Sequence, residues 1–105
     1  MGMEKDFHQQ VLFALLEIPD GKVTTYGAIA KRLGNKNLSR AVGNALHHNP
    51  DGKRFPCYRV VDAKGRLSKA FAFGGEAGQK ARLTLDGIEV QDGKVDLSRF
   101  GYFYE

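Results

Sequence analysis

The sequence predicts a mainly α-helical domain with a small β component, built around a helix-turn-helix. Three observations carry this expectation. Residues 6–18 place Phe7, Val11, Leu12, Leu15 and Ile18 at helical spacing. Residues 25–48 hold two more helical patterns separated by a short polar break, the layout of a helix-turn-helix. The β signals are confined to short runs near Val60, Leu67 and residues 88–97. A chain of 105 residues reads as one domain, residues 1–105, with a modest core.

Each element follows from local chemistry. The first helix needs a core for its apolar face, and Pro19-Asp20-Gly21 ends it with turn residues. The second helix spans residues 26–33, with Thr24 or Thr25 as N-cap and Ala28, Ile29 and Leu33 as its inward stripe. Gly34-Asn35-Lys36-Asn37 breaks it. Asn37 or Ser39 is expected to cap the third helix, which runs to about His48 with Val42, Ala45 and Leu46 inward. Gly43 costs that helix about 1 kcal/mol against Ala, so it marks a close approach, to the preceding helix or to DNA. Residues 49–52 form a loop. Residues 59–61 read as a short strand, followed by a Lys64-Gly65 turn into a second strand near Leu67. After Gly74-Gly75, a last helix spans residues 76–85 and ends at Asp86-Gly87, with Gly87 at the C′ position. Residues 88–90 and 95–97 flank Gln91-Asp92-Gly93-Lys94 as a hairpin. The aromatic tail of residues 100–104 is expected to pack on the core rather than to stack on bases.

Net charge is +4, but its placement says more. Between Lys22 and Lys69 the only acids are Asp51 and Asp62, whereas both ends of the chain are acidic or balanced. A basic middle of this kind is the footprint of a phosphate-binding surface. No apolar run approaches the roughly 20 residues of a membrane span. The charged N-terminus has no signal-peptide core, and Asp6 breaks the myristoylation pattern after Met1-Gly2. The single cysteine cannot form an internal disulfide, which fits a reducing cytoplasm. Cys57 with His8, His47 and His48 makes no zinc spacing. No metal or other cofactor is expected.

That cysteine sits in Phe55-Pro56-Cys57-Tyr58-Arg59-Val60-Val61. An ordinary thiol is only a few per cent ionised at neutral pH, and Arg54 and Arg59 are candidates for raising that fraction. His47 and His48 follow the third helix, where positive charge is favoured and a phosphate contact is available. A helix-turn-helix leading into a lone cysteine points to thiol chemistry on a nucleic acid, or to a damage-binding pocket that kept the shape and lost the reaction.

Thr25-Tyr26-Gly27, Ser39-Arg40-Ala41-Val42-Gly43, Asn49-Pro50, Pro56-Cys57-Tyr58-Arg59-Val60-Val61 and Gly74-Gly75 fall in one register. In order and spacing they resemble the O6-alkylguanine-DNA alkyltransferase family over nearly the whole chain, from about Phe7 to Gly87. The resemblance implies a winged helix-turn-helix whose recognition helix enters the minor groove. It implies that Cys57 accepts the alkyl group, that Arg40 fills the stack vacated by the flipped base, and that Tyr26 rotates the nucleotide outward. Asn49 braces the active-site turn, while backbone carbonyls of Cys57 and Val60 read the guanine edge. Arg59 and Gly43 join Tyr26, Arg40, Asn49 and Val60 as expected DNA or base contacts, and Leu46, Pro56 and Phe73 as pocket walls.

Three departures shape the functional reading. The family's activating His after the cysteine is Tyr58 here, a phenol of pKa near 10. The acid that orients that His is matched by Asp86 in place of Glu. The polar loop before Gly-Gly is replaced by Phe71-Ala72-Phe73, without the hydroxyl expected beside the alkylated oxygen. The length and the ending resemble the alkyltransferase-like proteins, which usually lack the cysteine that this chain retains. The expected role is therefore a monomeric, cytoplasmic, nucleoid-associated sensor that binds duplex DNA with alkylated guanine and feeds nucleotide excision repair. The alternative is single-turnover alkyl transfer to Cys57, with Tyr58 and Asp86 as a weakened relay. A winged-helix transcriptional regulator is the third reading, but it gives no reason for Tyr26, Arg40 and Cys57 in this register.

Overall fold

The computed structural model describes residues 6–104. Met1–Lys5, on which the leader and myristoylation expectations bear, lie outside the described residues. Helix α1 spans Phe7–Leu15 and opens with a capping box: the Asp6 carboxylate accepts the Gln9 N–H at 2.8 Å, and the Gln9 side chain accepts the Asp6 N–H. It ends short of Ile18. Leu16, Glu17 and Ile18 each bond three residues back, a tightened turn that delivers the chain to Pro19 and keeps Ile18 buried.

Strand β1, Thr24–Thr25, leads directly into α2, Tyr26–Arg32. Thr25 is the cap, its hydroxyl accepting the Ala28 N–H at 3.0 Å. Gly34, at φ +101°, closes α2: its N–H reaches the Lys31 carbonyl, and the Asn35 N–H reaches Ala30. The expected caps of the third helix are not used. Asn35 instead caps a 3-10 turn, Lys36–Leu38, by accepting the Asn37 N–H. Helix α3, Ser39–His47, starts straight from that turn with no side-chain cap, and buries Val42, Ala45 and Leu46 as expected.

Cys57–Arg59 forms a second 3-10 turn, so the strand begins one residue later than expected, as β2, Val60–Val61. β2 pairs in parallel with β1, Thr24 opposite Val60 and Thr25 opposite Val61. Helix α4 spans Gly75–Leu85, and Gly87 takes the expected C′ position at φ +80°. The expected hairpin is reduced to one rung between Gln91 and Lys94. Residues 93–95 pair instead with residues 65–67, through Leu67 N–H to Gly93 and Val95 N–H to Gly65. Leu97 is not strand but the first residue of α5, Leu97–Phe100, capped by Asp96. This short β corner beside the helices forms the wing.

Successive residues of a strand face opposite sides, and β2 uses this to join two cores. Val60 packs with Leu15, Ile29, Val42 and Leu46 among α1, α2 and α3. Val61 packs with Leu67, Leu83, Ile88 and Val95 beneath α4 and the wing. The tail packs on the protein, as expected: Tyr102 and Tyr104 lie against the first core, and the Tyr104 hydroxyl donates to the Ala14 carbonyl at 2.9 Å. Among the described residues no helix is long and apolar enough to cross a membrane.

Candidate nucleic-acid interface and thiol pocket

The two helices of the helix-turn-helix and the Cys57 turn meet around a cavity of about 230 Å³. Tyr26 enters it from the first turn of α2, Gly43, Leu46 and His47 from α3, and Cys57 and Val60 from the turn and β2. Ser68, Phe71 and Gln79 close the far side. The outer face of α3 beside the cavity is solvent-exposed and carries Arg40, Ala41, Asn44 and His48. Gly43 has its approach on the pocket side: a Cβ there would meet the Tyr26 ring at 3.8 Å, ordinary contact.

Cys57 is 5% exposed. Burial pushes its thiol above the ordinary value, while the Asn49 side chain, a backbone N–H and the Arg82 charge oppose the shift without cancelling it. Asn49, itself buried, braces the turn. Its amide donates to the Phe55 carbonyl at 2.8 Å and its oxygen accepts the Asp51 N–H at 3.0 Å. The Cys57 N–H donates to the Phe55 carbonyl and the Arg59 N–H to that of Pro56, so the chain turns tightly between Phe55 and Arg59.

Tyr58 faces the other way. It packs against the second core, and its hydroxyl donates to Asp86 Oδ2 at 2.7 Å. Burial and that carboxylate both hold the phenol protonated, raising its pKa. Tyr58 and Asp86 therefore form the expected pair, but as a donor locked onto an acid.

Arg59 requires a correction. Expected at the DNA or near the thiolate, its guanidinium is tied inside the protein to Asp86 Oδ2 at 3.1 Å, the Ile18 carbonyl at 3.1 Å and Asp20 Oδ1 at 3.0 Å. It staples the end of α1 to the end of α4. The cation that acts on Cys57 is Arg82, which stacks over the Phe73 ring at 5.3 Å. Phe73 and Pro56 are likewise not walls of the cavity. Phe73 lies under Arg82 and against Gly52, and Phe71 takes the lining position. Ser68 also lines the cavity, where its side chain interacts with the Tyr26 phenol.

Ser68, Gln79 and Arg82 were not anticipated at the site, and His47, expected as a phosphate contact, lines the cavity. Gln79 carried a signal, a polar residue four positions before Leu83 on the buried stripe of α4. The His47 Nδ1 lies 3.0 Å from the Ala70 carbonyl, which requires the proton on Nδ1 and ties α3 to the pocket loop. Among the described residues no three His, Cys, Asp or Glu side chains converge as a metal site.

The model of the DNA-binding domain of 6-O-methylguanine DNA methyltransferase matches residues 6–88. A DNA base-flipping protein of Vibrio parahaemolyticus is 38% identical over 96 residues, covering 90% of this chain and 93% of that protein. A bifunctional methyltransferase/endonuclease of Picrophilus torridus is 40% identical over 92 residues, which span 87% of this chain and 30% of the longer protein. Among solved structures, Schizosaccharomyces pombe Atl1 in complex with damaged DNA containing O6-carboxymethylguanine aligns with a TM-score of 0.84 at 36% identity, over 95% of this chain and 98% of that one.

Proposed function

The chain belongs to the family of the 6-O-methylguanine DNA methyltransferase DNA-binding domain, and from that premise we propose that it recognises O6-alkylguanine in duplex DNA as a lesion sensor. The exposed face of α3 enters the minor groove. Arg40 occupies the gap in the stack, Tyr26 turns the nucleotide outward, and the flipped base enters the cavity beside Cys57. O6 lies inside the duplex, so extrusion is obligatory and costs a few kcal/mol. A guanidinium plane that stacks and meets phosphate offsets part of that cost.

The observation that carries the sensor reading is the state of the thiol. Cys57 is buried with its pKa raised, and its neighbour Tyr58 is a donor fixed on Asp86, not a base. The bound complex then hands the lesion to nucleotide excision proteins in the cytoplasm, with the chain acting as a monomer.

A second reading, single-turnover transfer, is favoured by the position of Cys57 in the cavity wall. There the thiol loses its proton, sulfur bonds to the alkyl carbon, the carbon–O6 bond breaks, and guanine takes up a proton. The resulting thioether is permanent. Intact-protein mass after incubation with excess O6-methylguanine duplex separates the two. The sensor reading expects no mass change together with lesion-selective binding. A gain of one methyl group, absent in Cys57→Ser, would establish transfer. Neither transfer nor selectivity would leave the family likeness as fold alone.

A further inference from the structure

Gln79 is 1% exposed and lies on the inner stripe of α4, one turn before Leu83. A leucine would fill such a position at less cost, because a buried amide must have every strong polar site satisfied. Here it does. Nε2 donates to the Tyr58 carbonyl at 3.0 Å and to the Val60 carbonyl at 2.8 Å, while Oε1 accepts the Ser68 N–H at 2.8 Å. One side chain thus grips both the Cys57 turn and the loop that carries Ser68, the partner of Tyr26. It also lines the cavity.

The inference drawn from this grip rests on the lesion-binding reading above. Alkylation at O6 removes the proton from N1 of guanine. The 2-amino group is then the sole N–H donor on the Watson–Crick edge, and only acceptors can read it. Val60 lines the cavity, and a carbonyl that accepts one hydrogen bond retains a second lone pair, made a better acceptor by polarisation within a buried network. We propose that Gln79 is a positioning residue that orients the Val60 carbonyl, and thereby sets the pocket's preference for a base carrying a 2-amino group. Without it the Tyr58 and Val60 carbonyls lose their common donor, and the Val60 carbonyl loses one of the bonds that aim it.

The test compares binding of the full chain to three duplexes, identical except for guanine, O6-methylguanine or O6-methylhypoxanthine, which lacks the 2-amino group. The wild type binds O6-methylguanine about tenfold more tightly than O6-methylhypoxanthine, the scale of one hydrogen bond. Gln79→Met, of similar length without the amide, brings that ratio to about one, chiefly by weakening the first complex. An equal loss on both bases, or an unchanged ratio, makes Gln79 structural and overturns the proposal. Should Gln79→Met fail to fold, Gln79→Glu decides the matter. Its neutral carboxyl can donate to one carbonyl and its ionised form cannot, so the ratio recovers as pH falls through the carboxyl titration. A ratio flat with pH overturns the proposal. A wild type that fails to distinguish O6-methylguanine from guanine would instead remove the lesion-binding premise, whatever Gln79 does.

Discussion

At Cys57, burial and hydrogen bonding pull in opposite directions, and burial prevails. The sign follows directly. A raised pKa leaves less thiolate at neutral pH than an ordinary thiol has. Labelling of Cys57 by a small alkylating agent should therefore keep rising with pH beyond about 8.5, where an unperturbed thiol is half ionised. A plateau at or below that pH would mean the thiol is activated. Tyr58→His introduces a group that can take a proton beside Asp86, and should raise any transfer to Cys57, toward the roughly 10²–10⁴-fold typical of general-base help. No gain in single-turnover rate would show that Tyr58 is not what limits the reaction. Cys57, Tyr26 and Val60, which the motifs singled out, line the cavity, and Asn49 bonds the turn that bears Cys57. Arg59 was misassigned because charge in a sequence does not reveal its partner, and its partners Asp20 and Asp86 lie 39 and 27 residues away.

Among the elements, the helices were legible because a period of 3.6 leaves a visible stripe, and Gly34 and Gly87 announced their ends. Of the strands, β2 was legible to within one residue from the run at 59–61, and β1 was not. β1 and β2 have two residues each, too few to show alternation, and their pairing joins positions 36 apart, Thr24 and Val60. The wing was misread for a related reason: Val95 and Leu97 alternate with a polar residue as in a strand, but Asp96 caps α5 and diverts the chain. Gly65 is the position on which that corner depends. Its φ is +84°, and a Cβ there would lie 2.2 Å from the Val95 carbonyl oxygen, so a side chain meets both torsional strain and backbone. Gly65→Ala should destabilise the fold by about 2–3 kcal/mol, the upper part of the usual range for point substitutions, measured as a lower denaturant midpoint at unchanged slope. A loss under about 0.5 kcal/mol would show that the wing yields at no cost.

Over the whole molecule, charge and shape divide the work of binding. Under the proposed function, the basic middle of the chain supplies attraction to any duplex, while the cavity beside Cys57 takes only an extruded base. Phosphate contacts release counterions whether or not the DNA is damaged. Plots of log affinity against log salt should therefore run parallel for damaged and undamaged duplexes, leaving lesion selectivity independent of salt. A steeper slope for damaged DNA would place part of the discrimination on the charged surface. Nothing in composition foretold that one wall of the cavity would come from α4.

The division of Val60 and Val61 between two cores has a consequence for the lifetime of the site. Many binding pockets sit on segments that open by local fluctuation while the remainder stays folded. Here the turn bearing Cys57 continues into a strand anchored on both sides, and Gln79 and Asn49 hold the turn itself. Its amides should exchange with solvent hydrogen no faster than those of the deepest core. The pocket and the fold then share one opening event, so an empty site waits for damage in its binding-competent form.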